Sequence, residues 1–174
     1  MIYVQESLVP EEKIIFGGYF HWMYTVSAVT WIFIGFLLSL AVIYGGIKLE
    51  YSHLPASYYM EAVWQLNPLV RLGALAMFLF GIFKFALMMA TRATTEIAIT
   101  NRRLIYKRGI IARHVDEISI DRIEGVMVEQ GILGRLFQYG TVVVRGMGVG
   151  AVVLPNMIMD PVHFRKAVEK AREY

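Results

Sequence analysis

The chain has 174 residues, 57% of them hydrophobic against the roughly 45–50% usual for soluble chains, and no cysteine. That length fits one modest domain beside two apolar spans, and the missing thiols exclude disulfides, thiolate metal sites and cysteine nucleophiles. The net charge of +3 divides unevenly, residues 1–91 summing to −1 and residues 92–174 to +4.

Residues 1–22 read as a short cytoplasmic lead-in, with Pro10 ahead of Glu11-Glu12-Lys13-Ile14-Ile15-Phe16. Gly17-Gly18 then break the pattern, leaving a short strand or an interfacial turn. From Met23 to Ile47 there is no charged residue and no histidine. At about 1.5 Å per residue this run makes a helix of about 37 Å, enough to cross a hydrocarbon core of roughly 30 Å. Eleven of the nineteen residues from Val26 to Tyr44 are Val, Ile, Leu or Phe. They favour insertion by about 3–7 kcal/mol. A first transmembrane helix is therefore expected over 23–47, with Gly35 and Ser39 as a small-residue pair suited to close helix contact.

An extracytoplasmic loop is expected over 48–65, read chiefly as a plain connector although it carries Tyr58, Tyr59 and Trp64. A second transmembrane helix is expected over 66–91. Its uninterrupted apolar part, Leu72–Phe83, is bracketed by Arg71 and Lys84, whose long side chains can carry their charges toward the headgroups. Tyr19, Trp22 and Tyr24 mark one aromatic belt, Tyr44 and Tyr51 the other. Arg92, Arg102, Arg103, Lys107 and Arg108 follow the second span closely, which places residues 92–174 and, across two spans, both termini on the cytoplasmic side. A cleaved signal peptide fits poorly, because the leader holds Glu6, Glu11 and Glu12 and the apolar run is too long.

Beyond Thr94 the pattern changes to alternation and turns. Glu96–Thr100 alternates as a half-buried strand, Asn101-Arg102 supplies a turn, and Leu104–Lys107 continues until Gly109. Ile110–Ile118 reads as a third, exposed strand; Ile118, Ile120, Ile123, Val126 and Val128 give the next inward set. Gly131–Phe137 is expected to form one turn. Thr141–Arg145 and Ala151–Leu154 make a hairpin across Gly146, Gly148 and Gly150. A C-terminal helix is capped by Asp160, carries Pro161 at its first position and runs to about Glu173, with Phe164, Ala167, Val168 and Ala171 as its apolar stripe.

The run Thr95-Glu96-Ile97-Ala98-Ile99-Thr100-Asn101-Arg102-Arg103-Leu104-Ile105-Tyr106-Lys107-Arg108-Gly109 resembles the opening of the bacterial pleckstrin-homology (PH) domain family. Ile118-Ser119-Ile120-Asp121-Arg122-Ile123, Gly131-Ile132-Leu133-Gly134-Arg135 and Tyr139-Gly140-Thr141-Val142-Val143-Val144 continue the likeness, which covers about Thr94 to Ala171. The two preceding helices and a lead-in like Leu8–Lys13 are a common arrangement in that family. Beside the membrane α-helical hairpin read from the two apolar spans, the resemblance implies for 92–174 an α+β domain, a PH-like split β-barrel of about seven strands with a C-terminal helix. About six strands are legible after Thr94. Either 110–120 splits in two or the lead-in at Ile14–Phe16 supplies the seventh.

Catalytic constellations are poorly represented, and no enzyme activity, cofactor or metal is expected. The four histidines are dispersed; of His114, Asp116 and Glu117, only the first two share a strand face. Gly146-x-Gly148-x-Gly150 precedes no helix and reads as a hairpin turn rather than a phosphate loop. The candidate site is the basic cluster Arg102, Arg103, Lys107, Arg108 and Arg113, held near the inner leaflet, where anionic lipids attract each charge by roughly 1 kcal/mol. The same charges serve orientation and solubility equally well. No aromatic surface is interleaved with the arginines, so nucleic acid is not an expected partner. The function expected is that of a non-enzymatic, membrane-anchored PH-like interaction or scaffold protein at the inner face of a bacterial or archaeal cytoplasmic membrane. Its expected partners are membrane lipids, other membrane proteins or further copies of itself. An accessory subunit of a transporter or enzyme complex stands second, and a lipid-modifying enzyme last.

Overall fold

The computed structural model describes residues 2–53, 55–148 and 150–173. In chain order its elements are α1 (Ile2–Glu6), β1 (Ile14–Gly18), α2 (Trp22–Glu50), α3 (Tyr59–Gln65), α4 (Pro68–Thr94), β2 (Glu96–Thr100), β3 (Arg103–Arg108), β4 (His114–Ser119), β5 (Ile123–Glu129), α5 (Ile132–Phe137), β6 (Tyr139–Gly146), β7 (Gly150–Val153), β8 (Ile158–Met159) and α6 (Pro161–Ala171). They form two compact units, Met1–Tyr24 with Ala90–Tyr174, and Thr25–Met89. Leu54 in the expected loop and Val149 at the expected hairpin tip lie outside the described residues.

In the unit Thr25–Met89, helices α2 and α4 are each long and apolar enough to cross a membrane. They extend past the apolar runs that predict them, because Lys48 and Glu50 at one end and Thr91 and Thr94 at the other continue the helices. Their contact is made by missing side chains. A Cβ on Gly35 would stand 2.9 Å from the Cα of Gly81, and one on Gly81 would stand 2.5 Å from the carbonyl oxygen of Trp31. The two backbones thus approach at Gly35 and Gly81, flanked by buried Ala28 and Ala74; Ser39 is only half-buried. The Lys84 ammonium lies 5.7 Å from the Trp31 ring and 5.8 Å from Phe80, a cation–π arrangement that offsets part of its removal from water. The segment between the helices is not featureless, since α3 packs Ala62 and the following Leu66 against Ile47 and the Tyr51 hydroxyl donates to the Gln65 carbonyl.

In the other unit, β1-β2-β3-β4 form one antiparallel sheet and β5-β6-β7 a second, with β8 also pairing with β6. A bridge between Phe20 and Ile158 joins the segment after β1 to β8. The inward positions of both sheets, Ile97, Ile99, Leu104, Tyr106, Ile118, Val142, Val144 and Ile158 among them, close on one core. Helix α6 completes it with Phe164, Ala167, Val168 and Ala171, the stripe that the spacing predicts. Each large side chain buried here contributes roughly 1.5–3 kcal/mol. Asp160 caps α6 by accepting the His163 N–H at 3.2 Å.

Three sequence expectations change. Strand β2 is buried on both faces rather than one, because Val4 of α1 covers Ala98 and Ile105 on the outer side of the sheet. The alternative left open for the lead-in is resolved: Ile14–Gly18 is a strand, β1, which pairs antiparallel with β2, Gly18 opposite Ile97, and the short β8 brings the described strands to eight. The third strand starts only at His114, because 109–113 form a tight turn. Gly109 takes a φ of +114° there, and a Cβ on it would fall 1.9 Å from the Ala112 carbonyl. The segment after Gly131 is also more than a turn, forming the six-residue helix α5.

Gly81→Leu should destabilise the helix pair by about 1–3 kcal/mol, the range for overpacking a close contact. Gly73→Ala should leave it unchanged, since a Cβ there meets only Val42 at 3.9 Å. Thermal unfolding of the two variants in detergent checks both.

Candidate interaction surface

Strand β3 carries most of the predicted basic cluster, and its alternation divides that cluster. Arg103, Ile105 and Lys107 point to the outer face, where α1 and the lead-in lie, while Leu104 and Tyr106 point into the core. Arg103 reaches three acceptors. Its Nε and Nη2 donate to the two Glu12 carboxylate oxygens at 3.0 Å each, its Nη1 to Glu117 at 2.8 Å, and its Nη2 also to the Ser7 carbonyl at 2.7 Å. The Glu12 side chain is fully buried and also accepts from the Thr100 hydroxyl at 2.7 Å and the Val9 N–H at 3.0 Å. Lys107 donates to Glu96 at 3.0 Å, and the Glu96 carboxylate accepts the N–H groups of Tyr3 and Val4. Asn101 accepts the Lys13 N–H at 3.0 Å, and its own N–H donates to the Lys13 carbonyl. The sequence thus holds a clamp on residues 3–13, a role that counting charges does not reveal.

Arg102, Arg108 and Arg113 are placed differently. Arg102 stands 3.8 Å from Glu11 and Arg108 3.6 Å from Asp116, with both guanidinium side chains about half exposed. Exposed pairs of this kind contribute little. Arg113 is exposed in the turn before β4. Arg103 and Arg108 mark opposite ends of β3, about 17 Å apart at 3.3 Å per residue. The structure therefore brings the five residues to two ends of one hairpin, not to one pocket. Asp116 and Glu117 are engaged by Arg108 and Arg103 respectively, and no cluster of three metal-ligating side chains occurs among the described residues.

A groove of about 470 Å³ lies between two strand edges, lined by Arg108 and Val115–Ile118 on one side and Ala151–Val153 of β7 on the other. Neither outer edge, of β4 or of β7, pairs with another strand among the described residues. Because the Leu154 N–H donates inward to Val142, the alternation of an antiparallel strand turns the N–H groups of Ala151 and Val153 outward. Sequence patterning marks these strands but does not show that their edges face a common opening.

Burial raises the Glu12 carboxyl, but the hydrogen bonds from Val9, Thr100 and Arg103 outweigh it and hold the group below its ordinary 4.5. Glu96 is held low in the same way, burial being outweighed by Lys107 and by the Val4 and Tyr3 N–H groups. His21, buried with its Nδ1 accepting the Met23 N–H at 3.2 Å, is held below its ordinary 6.5 by burial. All three contributions are complete above those ordinary values and are lost as the pH falls from them toward the lower folded values. The thermal midpoint should therefore drop below about pH 6.5 and more steeply below about 4.5, and Glu12→Gln should flatten the second limb. Arg103→Ala, which strands a buried carboxylate, should cost about 3–5 kcal/mol, with Arg103→Lys restoring part of it; midpoints measured at neutral pH test this.

The sequence model of a family described as Bacterial PH domain matches residues 14–170, from the first residue of β1 into α6. No curated protein and no solved structure matches the chain. The antiparallel sheets and helices described above are thus a PH-like domain, and the chain belongs to the bacterial PH domain family.

Proposed function

We propose that the chain is a non-enzymatic, two-span membrane protein whose PH-like unit, read as a split β-barrel closed by α6, works as an interaction module at the inner membrane face. The groove between β4 and β7 carries this reading. An extended segment of a protein partner can add to either free edge, main-chain hydrogen bonds giving affinity and alternate side chains giving selectivity. Membership of the PH family supports a binding role without naming a ligand.

Two further observations support the anchor. A core helix of a soluble protein is mostly buried, whereas only 11% of the most apolar window of α2 and of α4 is buried within the chain. Phe33, Leu37, Leu72 and Phe83 all face outward. Covering such faces with lipid removes the cost of hydrating them. The pairing of β1 with β2, which precede and follow the helix pair, favours entry and exit on one side, and the basic excess after Arg92 favours the cytoplasmic side. Anionic lipid contact is assigned to Arg108 and Arg113, since Arg103 and Lys107 are engaged by Glu12, Glu117 and Glu96 and Arg102 lies at the opposite end of β3 beside Glu11.

A photo-crosslinking residue at Val115 or Val153 in native membranes should yield adducts with a protein. Val153→Pro, which removes one outward N–H and leaves the β6–β7 bonds in place, should reduce the Val115 adducts at least tenfold. Replacing both spans with unrelated apolar helices should leave the adducts intact. Adducts that vanish with the spans yet survive Val153→Pro would instead identify an accessory subunit bound through its helices.

A further inference from the structure

We infer that two apolar projections of the PH-like unit, the turn at Ile110–Ile111 and one face of α5, insert into the interfacial layer of the bilayer and fix the domain against it. This inference rests on the membrane anchoring proposed above. Ile111 is 99% exposed and Ile132 89%, the two most exposed large apolar side chains among the described residues of this unit, with Leu136 at 72% and Leu133 at 56%. Isolated exposed apolar residues are ordinary, but these are grouped and rigidly presented.

In α5, Ile132, Leu133, Leu136 and Phe137 fall at i, i+1, i+4 and i+5 and so share one helix face. The opposite side is fixed to the domain. Gly134 is buried so closely that a Cβ would stand 2.6 Å from the Tyr139 carbonyl, and the Gln130 amide donates to the carbonyls of both Gly134 and Tyr139. The helix cannot roll its apolar face inward without breaking those bonds. The Ile110–Ile111 turn is constrained in its own way, by Gly109 and its contact with Ala112.

What covers these faces follows from their neighbours. The Phe137 ring packs edge-on against Trp22 at 5.9 Å, and Trp22 is the first residue of α2. Ile110 and Ile111 line one cleft with Thr91 and Thr94, in the last turn of α4. Each projection thus sits at a point where the chain passes into an apolar helix. Trp22 is an aromatic suited to the headgroup level. Arg108 and Arg113 flank the turn and Arg135 lies within α5, all exposed, so apolar tips are bordered by cations as an anionic lipid surface requires.

The absence of cysteine allows single-site spin labels without background. Ile111→Cys, Ile132→Cys and Leu136→Cys would be labelled in the full chain and reconstituted into phosphatidylcholine vesicles containing phosphatidylglycerol. Glu169→Cys on the exposed side of α6 serves as the aqueous reference and Phe33→Cys as the hydrocarbon reference. Relaxation by oxygen relative to a nickel chelate should be severalfold higher at the three sites than at Glu169, approaching the Phe33 value. Nickel access equal to that at Glu169, with Phe33 still reading hydrocarbon, would overturn the insertion while leaving the anchor intact. A Phe33 label open to nickel would overturn the anchor itself. Labels shielded from both reagents would overturn insertion in favour of a protein contact, with a partner or a second copy. Should a labelled Leu136 variant fail to fold, Leu133→Cys on the same face gives the same reading.

Discussion

The carboxylate of Glu12, withdrawn from water and gripped by Arg103, is the contact on which the PH-like unit depends. A buried ion is tolerable only when its lone pairs are nearly all satisfied, and Glu12 meets that condition through Arg103, Thr100 and Val9. Its effect is to place the chain ahead of β1. Once that segment is fixed, α1 lies over Ala98 and Ile105, and β1 enters the sheet in register with β2. A run of arginine and lysine that looks like a ligand-binding surface is in good part the internal wiring of the fold.

The two units use the same residue types in different ways. In the PH-like unit, Ile, Val and Leu alternate with polar neighbours because water lies on one side of the strand and a core on the other. In α2 and α4 they cover every side, while small residues gather where the helices touch. With lipid over their outward faces, as proposed, hiding more leucine would gain these helices little, and close backbone approach at Gly35 and Gly81 would do the work that core burial does elsewhere.

Much of the fold is legible in the sequence because its signals are local. Uncharged length marks the helices, Asp160-Pro161 starts α6, and the spacing of Phe164 to Ala171 gives its buried stripe. What escapes is what depends on distant residues meeting. Nothing within Ile14–Gly18 says that it will pair with a strand more than seventy residues away, and nothing in Glu96–Thr100 says that Val4 will cover its second face. The same holds for the basic residues. Counting locates Arg103 and Lys107; the Lys107–Glu96 pair lies within the β2–β3 hairpin register, but the engagement of Arg103 with Glu12 appears only when the lead-in is folded back onto β3. The two edges that line the groove, unpaired among the described residues, are likewise invisible to periodicity, which reports faces of strands and not their borders.

The pairing of β1 with β2 also orders events during biosynthesis. Seventy-seven residues separate Gly18 from Glu96, the whole of both long helices among them. At about 5–20 residues per second a ribosome needs roughly 4–15 s to make that stretch. Through that interval β1 has no strand beside it, and the Glu12 carboxylate stays in water, still waiting for its guanidinium. The sheet therefore forms only after α4 is made, so completion of the domain reports that the apolar hairpin before it has been synthesised to its end.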